Sequence, residues 1–173
     1  MSAPEVLYSA AEIEARVDAL AEIIAADLGD DLIAVPVMTG AMVFAADLIR
    51  ALWRRGVAVE VMALRVRSYG ASLTAESAPV IAMPLDKRID GRTALLIDGV
   101  CDVGHTLVTA VSHLSEMGAG RIASAVLVDK PTRRGTAARP DYVGFTAGDL
   151  FVVGYGMDAR GGLRHLPYVG VIR

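Results

Sequence analysis

Short apolar runs of strand length alternate along this chain with longer segments of helical periodicity, and this alternation constrains the fold more than any other feature. The predicted strands include Leu32 to Met38, Thr93 to Ile97 and Ile122 to Val128. The predicted helices run from about Ala10 to Leu28, Ala41 to Arg55 and Thr106 to Met117. Strands that alternate with helices predict an α/β fold, a mostly parallel twisted sheet with helices on both faces and right-handed crossovers.

Local signals place several element boundaries. Ser9 and Glu12 form a capping box at the start of the first helix, and Gly29 is expected to end it. The β-branched residues from Val57 to Val66 predict one strand. The polar stretch from Arg67 to Pro79 predicts a mobile loop, because it has little apolar surface to bury. Shorter strands are expected at the following ranges: Val80 to Met83, Tyr142 to Phe145 and Phe151 to Val153.

Composition narrows the class of protein. A chain of 173 residues with 54% apolar residues suits a single domain, residues 1–173, with a full core. A net charge of −3 disfavours nucleic acid and acidic membranes as partners. The single cysteine, Cys101, suits a reducing compartment, and the N-terminus has no signal-peptide pattern. We therefore expect a cytoplasmic protein.

Four places in the sequence follow predicted parallel strands, and ligands bind beyond the carboxyl ends of such strands. They are Met38-Thr39-Gly40, Asp98 to Thr106, Asp129-Lys130 and the segment after Val153. The rule predicts that these places converge in space.

The stretch from Ala94 to Leu114 carries the clearest chemistry, as a strand, a loop and a helix in succession. Asp98 and Asp102 precede Gly104, and Thr106 stands at the helix start. Free N–H groups at such a helix start bind anions, so we expect a phosphate-bearing small molecule. The alternative from the residues alone is an ordinary connection with a solvated aspartate and a capping threonine.

This stretch resembles the phosphoribosyl pyrophosphate motif of type I phosphoribosyltransferases, in particular the hypoxanthine-guanine phosphoribosyltransferases. Other parts of the chain resemble that family in the same order. They are Val37 to Leu48 (pyrophosphate loop and helix), Ser68-Tyr69-Gly70 (mobile loop), Leu127 to Arg134 (purine-reading lysine) and the tail segments Pro140 to Phe145, Phe151 to Asp158 and Arg164 to Tyr168. The resemblance implies a parallel sheet with a small hood built from the terminal segments.

The resemblance implies a role for each matching residue. Asp102 would be the catalytic base or hydrogen-bond acceptor at purine N7. The residues implied to bind ribose and the 5′-phosphate are Asp98, Asp102, Val103, Gly104, His105 and Thr106. Those implied to bind pyrophosphate are Thr39, Gly40 and Arg164, and those implied to bind the base are Lys130, Phe151, Val152 and Asp158.

The resemblance also implies a cofactor and partners. Asp98 and Asp158 would hold Mg²⁺, and Ser68 and Tyr69 would belong to a loop that closes over the site. The substrates would be phosphoribosyl pyrophosphate and a 6-oxopurine, hypoxanthine or guanine, in purine salvage. A homodimer or homotetramer is implied, and the apolar helix from Ala41 to Trp53 is a candidate contact surface.

Three positions depart from the family pattern, which has two adjacent acids at Asp98-Gly99, a hydroxyl residue at Val103 and a lysine at Thr39. Two alternatives therefore stay open beside the enzyme. One is a catalytically weakened purine-nucleotide-binding or regulatory protein on the same fold. The other is a transferase for xanthine or another heterocycle. From the residues alone, Lys130 could be a surface lysine, Phe151 a core aromatic and Cys101 a packing residue.

Overall fold

The protein is described by a computed structural model that covers residues 3–67 and 79–172. Its centre is a sheet of five parallel strands in the spatial order β3-β2-β6-β7-β8. The strands of this sheet are β2 (Asp31–Pro36), β3 (Ala58–Val61), β6 (Thr93–Cys101), β7 (Arg121–Asp129) and β8 (Tyr142–Thr146). The predicted parallel sheet is confirmed, and β6 lies at its middle with β2 and β7 as neighbours.

Helices cover both faces of this sheet, as predicted. α1 (Ala10–Leu28) and α2 (Met42–Trp53) pack on one face, where Phe44 and Leu48 are fully buried. α3 (His105–Glu116) packs on the other face with its buried Leu107 and Leu114. An apolar core lies on each face of the sheet. Because side chains alternate along a strand, each central strand contributes apolar residues to both of these cores.

The capping box of α1 is present as predicted. The backbone N–H of Glu12 donates to Ser9 Oγ at 3.3 Å, and the Ser9 N–H donates to Glu12 Oε2 at 2.8 Å. Gly29 ends the helix with a φ of +82°, a region that favours glycine. These local signals explain why the predicted and observed bounds of α1 agree.

Two smaller sheets flank the centre. One is a three-stranded antiparallel sheet in the order β1-β10-β9, formed by β1 (Glu5–Tyr8), β9 (Phe151–Val153) and β10 (Val169–Ile172). This sheet is built from both ends of the chain and is the predicted hood. The other is an antiparallel ribbon of β4 (Arg65–Arg67) and β5 (Val80–Met83). No helix within residues 3–67 and 79–172 has the length and apolar character to cross a membrane.

Two sequence predictions about strands are wrong. The single strand predicted from Val57 to Val66 is two strands, because β3 pairs with β2 whereas β4 turns away to pair with β5. The loop predicted to begin at Asp98 begins later, because β6 continues its ladder with β7 as far as the Cys101–Asp129 pair. Asp98 is therefore a strand residue, and Asp102 is the first residue after the strand.

Candidate active site

β6 carries Asp98 into the middle of the sheet, where its register partner is Val126. The backbone N–H of Gly99 donates to Asp98 Oδ1 at 2.7 Å. Burial raises the pKa of Asp98 to about 7. Hydrogen bonds from the Gly99 and Val100 N–H groups act in the opposite direction and lower it. Desolvation is the larger effect, so this carboxyl group changes its protonation near neutral pH.

A cavity of about 290 Å³ lies between the end of β6 and the start of α3. Its lining comprises Asp98, Val126 and every residue from Val100 to Leu107. Gly104 precedes α3 with a φ of +100°, which turns the chain into the helix. The first N–H groups of a helix have no partner inside it, so the start of α3 offers donors to an anion.

All six predicted ribose and phosphate residues line this one cavity. His105 is exposed at the start of α3, and Thr106 follows it. Cys101 is buried, and burial raises the pKa of its thiol to about 11, so it is a protonated packing residue. The structure brings the predicted residues together, and their individual roles stay predictions.

Asp102 carries two cationic partners. Lys130 Nζ lies 3.4 Å from Asp102 Oδ2, and Arg133 Nε donates to Asp102 Oδ1 at 2.9 Å. Arg133 also reaches Asp149 Oδ1 at 2.9 Å, so it bridges Asp102 to the loop that precedes Phe151. Lys130 is only 5% exposed, and the alternative in which it is a surface lysine is therefore wrong.

Arg133 and Arg134 had no predicted role, although both follow Lys130 closely. A 3-10 turn, Pro131–Arg133, folds the chain back after Lys130 and brings Arg133 to Asp102. The side chain of Arg134 is buried, forms an ion pair with Asp129 and donates to the Asp102 carbonyl oxygen at 2.8 Å. The only sequence signal was two arginines beside the predicted base-reading lysine.

The segment after Lys130 also holds the loop before α3. The Lys130 N–H donates to the Cys101 carbonyl oxygen at 3.0 Å, and the Gly135 N–H donates to that of Val103 at 3.0 Å. The Thr136 hydroxyl also donates to the Val103 carbonyl oxygen, at 3.2 Å. The predicted base-binding segment is thus hydrogen-bonded to the predicted phosphate-binding segment through the carbonyl oxygens of Cys101, Asp102 and Val103.

Thr39 and Gly40 lie in the loop between β2 and α2. The Val37 N–H donates to the Ile97 carbonyl oxygen at 2.9 Å, which holds this loop beside β6. The Gly40 carbonyl oxygen approaches Gly99 so closely that a Cβ added to Gly99 would lie 2.8 Å from it. The predicted pyrophosphate loop therefore packs directly on the strand that carries Asp98.

Further predicted site residues lie in the hood strand β9 (Phe151 and Val152) and in the turns between β9 and β10 (Asp158 and Arg164). Phe151 is 56% exposed, so it is not a core aromatic, whereas Val152 is buried in the hood sheet. Arg164 Nη2 lies 2.8 Å from Asp158 Oδ1, and the Gly161 N–H donates to Asp158 Oδ2 at 2.7 Å. Arg164 also donates to the Gly156 carbonyl oxygen at 2.6 Å, which joins the predicted pyrophosphate arginine to the predicted metal-binding aspartate.

Two predictions about the site have no further structural support. Ser68 and Tyr69, predicted to belong to the mobile loop, lie outside the described residues. Within residues 3–67 and 79–172, no group of three or more histidine, cysteine, aspartate or glutamate side chains could hold a metal ion. Asp98 and Asp158 therefore stay a predicted pair of magnesium ligands.

Comparison with known proteins gives consistent matches over nearly the whole chain. A profile of the phosphoribosyl transferase domain matches residues 5–160. The hypoxanthine phosphoribosyltransferase of Escherichia coli K12 is 35% identical over 171 residues, covering 97% of this chain and 94% of its own. The hypoxanthine-guanine phosphoribosyltransferase of Bacillus subtilis is 35% identical over 170 residues, covering 98% and 93%.

A solved structure agrees with these relatives. The crystal structure of a hypoxanthine phosphoribosyltransferase from Staphylococcus aureus superposes with a TM-score of 0.90 at 29% identity. The superposition covers 98% of this chain and 91% of that one. The similarity therefore includes the hood as well as the central sheet.

Proposed function

This chain belongs to the phosphoribosyl transferase family, and we propose that it transfers phosphoribose from phosphoribosyl pyrophosphate to a 6-oxopurine. The products are a nucleoside monophosphate and pyrophosphate, and the process is purine salvage. Hypoxanthine and guanine are the proposed acceptors. The names of the relatives, at 35% identity over nearly the full length, support this activity.

The observation that carries the choice of base is the pairing of Lys130 with Asp102. A 6-oxopurine presents the O6 acceptor and the N7 position on one edge. The Lys130 ammonium group can donate only, which suits O6, and the Asp102 carboxylate accepts from an N7–H group. An adenine would turn its 6-amino donor toward the lysine, so two donors would face each other. The exposed ring of Phe151 offers a stacking surface for the base.

The reaction needs the two reactants oriented, the charge of the leaving group balanced and one proton managed. The N–H groups at the start of α3 would hold the 5′-phosphate. Arg164 and the loop at Thr39 and Gly40 would bind pyrophosphate, and Asp102 would accept the purine proton. The hydrogen bonds between the Lys130 segment and the loop before α3 would keep base and phosphoribose in one relative orientation.

Magnesium is the proposed cofactor. Asp98 and Asp158 supply hard oxygen ligands, and Mg²⁺ is commonly bound through one or two carboxylates together with substrate phosphates. Bound there, Mg²⁺ would neutralise negative charge on the leaving pyrophosphate. The cytoplasmic location and the homodimer or homotetramer stay predictions.

The departures at Gly99, Val103 and Thr39 favour a second candidate, a purine-nucleotide-binding protein without useful turnover. One experiment separates the two. Purified protein is mixed with phosphoribosyl pyrophosphate, Mg²⁺ and, separately, hypoxanthine, guanine, xanthine or adenine, and nucleotide formation is followed. We expect inosine or guanosine monophosphate, and no product when a chelator removes Mg²⁺.

Nucleotide binding by calorimetry without product from any base would favour the binding protein. Product from xanthine alone would favour the transferase with a different acceptor. A folded protein that neither binds a purine nucleotide nor forms one would contradict both candidates.

A further inference from the structure

The carbonyl oxygen of Gly40 is the point where three segments of the proposed site meet. A Cβ added to Gly99 on β6 would lie 2.8 Å from this oxygen, and one added to Gly156 would lie 2.5 Å from it. Ordinary van der Waals contacts of a Cβ begin at about 3.4 Å. The loop of Thr39, the strand of Asp98 and the turn before Asp158 can therefore approach each other this closely because two glycines surround one backbone oxygen.

The two glycines differ in why they are glycine. Gly156 has a φ of +99°, so its backbone conformation favours glycine whatever the space around it. Gly99 has no such backbone conformation and lies within β6. The physical reason for glycine at position 99 is therefore the lack of room for a side chain, because the backbone carbonyl oxygen of Gly40 lies where a Cβ would come too close.

We propose that Gly99 is a positioning residue for the pyrophosphate loop, in that its missing side chain lets Gly40 dock on β6. The proposal rests on the proposed function of that loop. In this chain β6 offers one acid, Asp98, and the Gly40 carbonyl oxygen lies 2.8 Å from where the Cβ of a second acid at position 99 would stand. A carboxylate introduced at position 99 therefore displaces the loop instead of restoring a ribose contact.

The neighbours of Gly99 show why the loop must move. The second contact of an added Cβ, Met157 Cγ at 3.2 Å, belongs to a flexible side chain that can shift. The first contact is a backbone carbonyl, which moves only when the loop from Val37 to Ala41 moves. A displacement of about 1 Å at a substrate-positioning element lowers activity by on the order of 100-fold.

Two variants test this, Gly99→Ala and Gly99→Asp, with Gly148→Ala as the matched control. Gly148 has nothing within 4 Å of an added Cβ, so its variant introduces the same methyl group without a contact. The readouts are KM for phosphoribosyl pyrophosphate, KM for hypoxanthine, and binding of magnesium pyrophosphate by calorimetry. Thermal melting establishes that each variant is folded.

We expect both Gly99 variants to fold and to raise KM for phosphoribosyl pyrophosphate by about 10-fold or more, with a similar loss of pyrophosphate affinity. KM for hypoxanthine should change far less, and Gly148→Ala should match the parent protein. A Gly99→Asp variant that is more active than the parent would overturn the proposal. Pyrophosphate affinity that is unchanged in Gly99→Ala would also overturn it. So would a Gly99→Ala variant that does not fold, because Gly99 would then be needed for the core and not for the loop.

The calorimetric readout separates this proposal from the proposed function. If the parent protein binds magnesium pyrophosphate and Gly99→Ala weakens that binding, the positioning role holds even where no nucleotide is formed. If nucleotide is formed and neither pyrophosphate affinity nor KM responds to Gly99→Ala, the transferase holds and the positioning role is overturned.

Discussion

The ammonium group of Lys130 lies 3.4 Å from the carboxylate of Asp102, in a site where the lysine is 5% exposed. A buried lysine without a partner would be costly, and Asp102 supplies the balancing charge. Arg133 holds the other oxygen of the same carboxylate. The pair thus presents a donor and an acceptor, side by side, at the carboxyl edge of the parallel sheet.

Asp102 is predicted to manage the purine proton, so replacing it by asparagine tests a chemical role with little change of shape. Asparagine still accepts a hydrogen bond but is not a base. We expect Asp102→Asn to lower kcat by about 100-fold or more, the range of general acid–base catalysis. Steady-state kinetics of nucleotide formation measure it.

The control is Asp149→Asn, which changes another carboxylate bound to Arg133. Asp149 has a side chain that is 71% exposed, and exposed ion pairs contribute little. Its kcat should match that of the parent protein. Equal kcat values for Asp102→Asn and the parent would contradict the role of Asp102.

Lys130 is predicted to select the 6-oxo group, and Lys130→Met keeps most of its buried volume without the charge. A hydrogen bond to a charged group contributes about 1.5–3 kcal/mol, so kcat/KM for hypoxanthine should fall by roughly 10- to 150-fold. Arg133 still pairs with Asp102 in this variant, so the carboxylate keeps a partner. A variant with unchanged kcat/KM for hypoxanthine would show that Lys130 does not read the base.

Arg134 is predicted to stabilise the protein by neutralising Asp129, because the Arg134 side chain is buried at 5% exposure and that of Asp129 is largely buried at 14%. Removing one partner of a buried ion pair costs about 3–5 kcal/mol, and we expect that loss in the free energy of unfolding of Arg134→Ala. The matched control is Arg88→Ala, whose pair with Asp90 is 61% and 64% exposed.

Urea unfolding measures both variants. Since exposed pairs contribute about 0–1 kcal/mol, Arg88→Ala should be close to the parent protein. Similar losses of unfolding free energy in the two arginine variants would show that the buried Arg134–Asp129 pair stabilises the protein no more than an exposed pair does.

The raised pKa of Asp98 makes the stability of the ligand-free protein depend on pH. Burial raises its pKa from 3.8 to about 7, so between these values the native state binds more protons than the unfolded state. The contribution of Asp98 to the free energy of unfolding therefore falls as the pH rises from about 4 to about 7, and levels off above that. The full effect of the pKa difference is at most about 4 kcal/mol.

Urea unfolding of the parent and of Asp98→Asn, in the presence of a chelator, isolates this contribution. The parent should lose stability across that pH window relative to the variant, because asparagine does not titrate. A stability difference between the two proteins that stays constant from about pH 4 to about pH 7 would contradict the raised pKa of Asp98.

The sequence predicted the central architecture well, because the signals involved are local. The capping box at Ser9 and the glycine at position 29 set the bounds of α1, and the apolar run before Asp98 set the start of β6. β1 and β10 were missed because they are stabilised by pairing with each other across opposite ends of the chain, which no local pattern signals.

The predicted site residues were found by motif and order, and the structure brings the phosphate and ribose set to one cavity. The partners of those residues could not be predicted in the same way. Arg133 is separated from Asp102 by 31 positions and Gly99 from Gly40 by more, so their contacts depend on the packing of loops from different strands. Nothing in the local sequence of Gly99 signals that a distant carbonyl group occupies its space.

Selection of the base by Lys130 and Asp102 is tested by the ratio of kcat/KM for hypoxanthine to that for adenine, measured with phosphoribosyl pyrophosphate and Mg²⁺. The pairing of Lys130 with Asp102 predicts that inosine monophosphate forms and that hypoxanthine is preferred by about 100-fold or more, because adenine opposes a donor to the buried lysine. Folded protein that forms no nucleotide, or that uses adenine as well as hypoxanthine, would contradict these roles of Lys130 and Asp102.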